Sequence, residues 1–498
     1  MIIVRDLWAK TEPFQSVITH GIVSGVIGRE LTMKFLSCGT RKQLASGLTL
    51  SIEELPLFVG YFVSLHDIGK VHYSFQSKDP ATKEKLCAEG LQGLGIAEPG
   101  FRHEKESCMA AKRIFKSMDR RTASRLAEIL GAHHQGKNEN IRQQTADSAW
   151  ELLQQSFASE MRDCFLKEEV CPIIQKEKDG PVCALLLGIV ILADWIASSD
   201  YFMEAEKWDH LIETTQKKAE KFLRDSGLYQ ESKQYGKTFC QVWPNIPENG
   251  KRELQSKAEL LFRENAPRCS MVLMEAPMGE GKTEAGVYAA LRMAEQWGKN
   301  GFYVALPTSA TANQMAGRMR DLLSMHQQEE SVKLLHAMAW MVDRQSAETR
   351  KFNTEEDAFA GNWLMPMRRG LLSSYAVGTV DQAMMAAMFI KYGVLRLLGL
   401  SGKALIIDEI HAYDTYMQNI LLRLLEWCKA LEIPVVLLSA TLPPEKKQQL
   451  LGIYSEKDVG KEYPAITAAY EDGTIRVIPF EHTAKRQNYS IQLKPILH

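Results

Sequence analysis

Cysteine is scarce and unpatterned: nine residues in 498, with no C-x-x-C pair. An odd, scattered count reads as reduced thiols in a reducing compartment, not as a disulfide framework. Long hydrophobic runs are also missing. The longest, Val182 to Ala193, has twelve residues. A membrane span needs about 20, so this run reads as a buried helix and no membrane partner is expected. The opening residues Met1-Ile2-Ile3-Val4-Arg5-Asp6 lack a basic region followed by an apolar one, so a cytoplasmic location is expected. Charge of one sign is absent in excess: 60 basic against 61 acidic residues, a net charge of −1. That excludes a strongly basic nucleic-acid clamp but not a local basic groove. There is no internal repeat and no low-complexity tract. Hydrophobic residues at 45% and charged residues at 24% describe a globular chain and exclude disordered, collagen-like and coiled-coil classes.

What is present changes character along the chain. Residues 1–225 show apolar positions at helical spacing, as in Leu57–Leu65, Ala123–Leu130 and Val182–Ile196, and predict one helical domain. Residues 226–250 carry Gly227, Gly236, Pro244, Pro247 and Gly250 among polar residues and read as a linker. From residue 251 short apolar runs alternate with longer helical segments: Met271–Glu275, Gly301–Leu306, Ala404–Ile407 and Val435–Leu438. That alternation predicts a parallel sheet covered by helices, an α/β domain over 251–460.

The helical half holds a set of metal-ligand residue types. His66-Asp67 ends an apolar run, with His20 before it and His103, the pair His133-His134 and Asp194 after it. Adjacent His and Asp can serve two neighbouring ions, since a carboxylate has two oxygens to share. Imidazole with carboxylate suits divalent transition metals, and two such ions suit in-line attack on a phosphodiester. His66-Asp67-Ile68-Gly69-Lys70 resembles the HD phosphohydrolase superfamily. The order His, His-Asp, His, His-His, Asp is similar to the HD nuclease domain of the CRISPR-associated helicase-nucleases of type I systems. Ala193-Asp194-Trp195-Ile196-Ala197-Ser198 resembles that family's last metal motif. The resemblance implies one ion on His20, His66, Asp67 and Asp194, and a second on Asp67, His103, His133 and His134. It implies Mn, Fe, Co or Ni as the metal, Asp67 as a catalytic residue, and Lys70 as a positive charge facing the scissile phosphate.

The second half opens with Ala276-Pro277-Met278-Gly279-Glu280-Gly281-Lys282-Thr283 between a predicted strand and a predicted helix. This is a P-loop with Ala276 in place of the first glycine. Backbone amides at Gly279 and Gly281 would cradle phosphates, Lys282 would reach the β- and γ-phosphates, and Thr283 would bind Mg²⁺. Asp408-Glu409 ends an apolar strand; Asp408 would hold Mg²⁺ of ATP and Glu409 would polarise the attacking water. Asp408-Glu409-Ile410-His411 with Ser439-Ala440-Thr441 resembles superfamily 2 helicases of the DEAH-like kind. That resemblance implies a RecA-like domain, with His411, Ser439 and Thr441 coupling hydrolysis to the strand-binding face. Thr308 in Leu306–Met315 and Thr379 in Val377–Gln382 resemble the segments that grip a nucleic-acid backbone. Gln255 would hydrogen-bond adenine.

Too few residues follow Thr441 for a second RecA-like domain, and no Gln-x-x-Gly-Arg-x-x-Arg pattern occurs there. Residues 461–498, with strand-like pieces at Thr474–Phe480 and Tyr489–Leu493, read as the start of a truncated second helicase domain or an inter-domain segment. The expectation is weak ATP binding, poor hydrolysis and no translocation by this chain alone. The family resemblance implies cleavage of single-stranded DNA displaced in an R-loop, recruitment by a guide-RNA surveillance complex, and ATP-driven unwinding in the full protein. Two other classes stay open on the residues alone: a nucleotide phosphohydrolase, and an inactive remnant that only binds the surveillance complex.

Overall fold

The computed structural model describes residues 4–481, apart from 92–99, 135–147, 203–209, 232, 263–265, 328–331, 336–359, 361–362, 365–368, 389 and 391. A short hairpin, β1 (Trp8–Thr11) and β2 (Phe14–Ser16), precedes the helices expected in the first half. Ser16 then caps α1 (Val17–Glu30), its Oγ accepting from the Thr19 amide at 3.1 Å, the arrangement that satisfies an orphan helix-start donor. Helices α2 (Cys38–Leu48), α3 (Glu54–Ser64), α4 (His103–Ile114), α5 (Arg120–Gly131), α6 (Ser148–Phe165), α7 (Asp179–Ala197) and α8 (Leu211–Asp225) complete the bundle. The apolar run Val182–Ala193 forms most of α7. Among the described residues one stretch, Lys176–Ala197, is long and apolar enough to cross a membrane, but 67% of its most apolar window is buried inside the protein.

The second half is built on one eight-stranded sheet, ordered β10-β9-β3-β8-β7-β4-β6-β5. The strands are β3 (Cys269–Glu275), β4 (Gly301–Leu306), β5 (Lys333–Leu335), β6 (Tyr375–Thr379), β7 (Lys403–Ile407), β8 (Val435–Ser439), β9 (Ala465–Tyr470) and β10 (Ile475–Pro479). The six from β3 to β5 in that order pair parallel. β9 pairs antiparallel to β3, and β10 antiparallel to β9. Ala465–Pro479, within the stretch read above as the start of a truncated second helicase domain or an inter-domain segment, is therefore the antiparallel edge of this same sheet. The boundary expected at residue 460 is corrected accordingly. Tyr489–Leu493 lies outside the described residues.

The sheet's two faces bury separate apolar sets, as the two-residue period of a strand requires. Met271, Leu273, Tyr303, Ala305, Leu405, Ile407, Val435 and Leu437 join a core that runs without break into the helical half. Val272, Met274, Phe302, Val304, Ala404, Ile406, Val436 and Leu438 face a second core. The helices flanking the strands are α9 (Glu253–Glu259), α10 (Lys282–Gln296), α11 (Ser309–Met325), α12 (Gly393–Ser401), α13 (Thr415–Ala430) and α14 (Pro444–Gly452). Two of them, α12 and α13, meet α7 of the helical half, so the halves share an interior. The stretch read as a linker also packs. Leu228 belongs to the first core, while Phe239, Val242 and Trp243 belong to the second. This segment carries the chain from one face of the sheet to the other.

Candidate metal centre and nucleotide site

Five separate segments bring the histidines and aspartates together. His20 comes from α1, His66 and Asp67 from the turn after α3, and His103 from the first position of α4. His133 and His134 follow the end of α5, and Asp194 sits in the last turn of α7. The backbone turns His66 and His133 inward in the same way. Each Nδ1 lies on the carbonyl three residues earlier: Val63 O at 2.9 Å for His66 and Leu130 O at 2.6 Å for His133. A carbonyl only accepts, so Nδ1 carries the proton and Nε2 faces the cluster.

Asp67 stands between two groups. Its Oδ2 lies 3.4 Å from Nε2 of both His20 and His66. Its Oδ1 lies 3.2 Å from His103 Nε2 and 3.6 Å from His133 Nε2. Asp194 Oδ1 completes the first group, 3.7 Å from His20 Nε2 and 3.6 Å from His66 Nε2. His134 Nε2 completes the second, 3.0 Å from His103 Nε2. Within each of the sets His20, His66, Asp194 and Asp67, His103, His133, His134, the ligand atoms all lie within 4.8 Å of one another.

The donor set fits divalent metal ions. His20 Nε2, His66 Nε2, His133 Nε2 and Asp67 Oδ1 are buried and have no hydrogen-bond partner among the described residues. Four such atoms pointing at one another are costly unless a cation satisfies them. Burial opposes ionisation of Asp67, but the Lys70 ammonium and His66 overcome it and hold the carboxyl well below its usual range. Burial likewise opposes ionisation of Asp194, and the His20 and His66 imidazoles, 3.7 and 3.6 Å away, outweigh it and hold the carboxyl well below its usual range. His66 shows the reverse: burial pulls its pKa down, yet Asp67 and Asp194 raise it to about 10. His134, beside two other imidazoles, is pushed to about 4 by burial first and then by His133 and His103.

Lys70 sits against the carboxylate that both groups share. Its Nζ lies 2.6 Å from Asp67 Oδ2 and 3.5 Å from the Ala9 carbonyl. The ammonium is thus held by the Asp67 carboxylate.

The P-loop residues line a cavity of about 510 Å³ with Arg252, Gln255, Arg318, Asp408 and Glu409. Gly279 and Gly281 have φ of 88° and 76°, the left-handed region that glycine adopts without strain. At Gly281 a Cβ would also overlap Gln255 Nε2. Gln255 is buried against the loop, its Oε1 accepting from the Arg252 amide at 3.0 Å. Lys282 Nζ donates to the loop carbonyls of Ala276 at 2.6 Å and Pro277 at 3.1 Å. Thr283 follows at the start of α10, and Glu409 sits strained at φ 54°. Burial, and then Glu409, raise the Asp408 carboxyl to about 6.

His411 connects the acidic pair to the strand-end motif. Its Nδ1 lies 3.2 Å from Glu409 Oε2 and 3.4 Å from both Ser439 Oγ and the Ala440 amide. Ser439 Oγ donates to the Thr441 carbonyl at 2.9 Å. Thr308 caps α11, its Oγ1 accepting from the Thr311 amide at 3.3 Å. Thr379 ends β6 in register with Leu306 of β4. Thr308, Thr379 and Thr441 therefore follow the carboxyl ends of parallel strands, the edge where open α/β sheets bind ligands. Arg252 and Arg318 were not legible as site residues. Neither belongs to a local motif, and the fold alone brings them to the cavity.

Residues 8–203 match the family model "Cas3, HD domain", and residues 253–450 match "DEAD/DEAH box helicase". Over both halves the chain resembles Cas3 proteins. It is 30% identical over 503 residues to the CRISPR-associated endonuclease/helicase Cas3 of Thermus thermophilus, covering 95% of this chain and 54% of that relative. The corresponding figures for Cas3 of Escherichia coli (strain K12) are 27%, 90% and 55%. The crystal structure of T. fusca Cas3 superposes with a TM-score of 0.83 at 27% identity, over 97% of this chain and 57% of that one. A chain from a CRISPR RNA-guided surveillance complex, described as pre-nicking, superposes with a TM-score of 0.73 at 25% identity, over 97% and 55%. The chain spans about half the length of the curated relatives it matches. Its architecture is the Cas3 one, a helical HD domain followed by a RecA-like domain with a mixed sheet.

Proposed function

We propose that this chain is a metal-dependent nuclease acting on single-stranded DNA, joined to the ATP-binding half of a helicase motor, in type I CRISPR interference. The observation that carries the reading is Asp67, whose two oxygens face two separate histidine groups. His20, His66, Asp67 and Asp194 would hold one divalent ion, and Asp67, His103, His133 and His134 the other. The donor chemistry favours Mn, Fe, Co or Ni. Ions held there would lower the pKa of a water and take charge from the departing oxygen. The chain's own contribution is placement. The Val63 and Leu130 carbonyls fix two imidazole tautomers, and Lys70 keeps Asp67 ionised.

In the second half Gly279, Gly281, Lys282 and Thr283 would hold the phosphates of ATP and Asp408 its Mg²⁺. Glu409 would orient water and Gln255 would meet adenine. His411, Ser439 and Thr441 form a continuous polar path from that site, and Thr308 and Thr379 would contact strand phosphates without reading bases. A surveillance complex carrying guide RNA is the partner, and the prokaryotic cytoplasm the setting. Likeness to a chain in such a complex supports this.

The test is cleavage of labelled single-stranded DNA without ATP, with Mn²⁺, Co²⁺, Ni²⁺ or Mg²⁺, beside free nucleotides as competing substrates. Metal-dependent cutting of the oligonucleotide supports the nuclease. Turnover of nucleotides alone replaces it with a nucleotide phosphohydrolase.

A further inference from the structure

Both carboxylates of the histidine–aspartate cluster are held from outside it. Asp67 Oδ2 is held by a charged group, Lys70 Nζ at 2.6 Å. Asp194 is held by a neutral one: Ser198 Oγ donates to its Oδ1 at 3.0 Å. Asp194 lies in the last turn of α7, and Ser198 is the residue that ends the helix after Ala197. The Ser198 amide also donates to the Asp194 carbonyl, at 2.8 Å. One serine thus grips Asp194 at its backbone and at its carboxylate.

The neighbouring serine behaves differently. A hydroxyl at a helix end commonly bonds back to a carbonyl three or four residues earlier. Ser199 does so, its Oγ donating to the Ile196 carbonyl at 2.6 Å. Ser198 turns instead to a side chain, and to the very oxygen that faces His20 and His66 at 3.7 and 3.6 Å.

That choice matters because Asp194 is the least enclosed member of its group. Its side chain is 16% exposed, against 1% for His20 and none for His66. Packing fixes the two rings, and the Val63 carbonyl adds a bond to His66. His20 Nδ1 has no hydrogen-bond partner among the described residues. A carboxylate at an open edge can turn about its Cβ–Cγ bond unless something pins it. The Ser198 hydroxyl pins it without cancelling its charge. Oδ1 keeps a second lone pair after accepting one hydrogen bond, so the same oxygen can still serve a cation.

We propose that Ser198 is a positioning residue of the metal centre. Its hydroxyl aims Asp194 Oδ1 at the ion that His20 and His66 would hold, and so sets the affinity of that ion but not of the one on the His103 group. This deepens the two-ion reading and rests on it.

The experiment titrates the metal-free full chain with Mn²⁺ and follows the paramagnetic resonance of the unbound ion. It compares the parent with Ser198→Ala, Ser198→Thr and Ser199→Ala, after heat unfolding has shown each metal-free variant to be folded. Ser198→Ala should weaken one of two bound ions by about tenfold to a hundredfold, the usual loss when a ligand's outer partner is removed. The other ion should keep the parent affinity. Ser198→Thr retains the hydroxyl and should restore the first ion. Ser199→Ala removes a helix-end bond that does not touch Asp194, and should bind both ions as the parent does. Unchanged binding in Ser198→Ala overturns the proposal. So does an equal loss in Ser199→Ala, which would make the helix end responsible, or an equal weakening of both ions. A parent that binds no Mn²⁺ fails the two-ion reading and takes the role of Ser198 with it. A parent that binds two ions beside an unchanged Ser198→Ala fails only Ser198.

Discussion

Gly69 lies so close to the first turn of α4 that a Cβ there would overlap the His103 carbonyl and stand 2.5 Å from the Ser107 amide. Its own amide donates to Ser107 Oγ at 3.0 Å. The glycine of His66-Asp67-Ile68-Gly69-Lys70 thus lets the turn that carries His66 and Asp67 touch the helix that carries His103. Gly69→Ala should force the two apart. A cost of about 1–3 kcal/mol is expected from overpacking. The second ion, which depends on His103, should bind most weakly, as measured by thermal unfolding and by metal content after dialysis.

Asp67 and Asp194 should differ in how many ions they control. Asp67 faces both groups, Asp194 only the one with His20 and His66. Asp67→Asn should remove both ions and reduce cleavage to background. Asp194→Asn should leave one ion on the His103 group. Metal analysis of the two purified variants distinguishes them; equal losses would contradict separate groups.

Nucleotide binding should fall in mild acid. Asp408 has its pKa raised from 3.8 to about 6, chiefly by burial and then by Glu409. The folded, nucleotide-free chain therefore binds more protons here than the unfolded chain between pH 4 and 6. This group's contribution to stability is fully present below the lower value and is lost as pH rises through the upper one. Mg²⁺ needs the carboxylate, so Mg-ATP affinity should weaken as pH drops through about 6. Calorimetric titration between pH 5 and 8 checks this. Asp408→Asn should bind weakly and lack that pH step.

The halves should unfold together. Gly188 of α7 packs on Leu398 of α12, where a Cβ would stand 3.0 Å from the leucine Cβ. Trp195, next to Asp194, lies 4.9 Å from the Tyr392 ring. Thr40 Oγ1 donates to the Ser401 carbonyl at 2.7 Å. Scanning calorimetry should show one transition, and Gly188→Leu should lower it by about 1–3 kcal/mol in stability. Two separated transitions would contradict the shared interior.

Legibility followed chain distance. The candidate ligands His66-Asp67 and His133-His134, the P-loop and Asp408-Glu409 stand in short motifs whose chemistry is local. Their convergence was readable only through resemblance, because His20 and Asp194 reach Asp67 from α1 and α7. The helical half and the parallel strands were legible from period, and Thr474–Phe480 was legible as a strand. Its partner was not. β9 and β10 close onto β3, far earlier in the chain, and no residue pattern announces which sheet an edge hairpin joins. Phe239, Val242 and Trp243 were hidden among glycines and prolines that also serve a crossing over the sheet.

The central claim is that Asp67 joins two ions in one site. It is tested most directly by titrating the metal-free chain with Mn²⁺ and recording its electron paramagnetic resonance. Two ions per chain with an exchange-coupled spectrum are predicted, collapsing in Asp67→Asn. One ion per chain, or two with the spectrum of isolated Mn²⁺, would contradict the account.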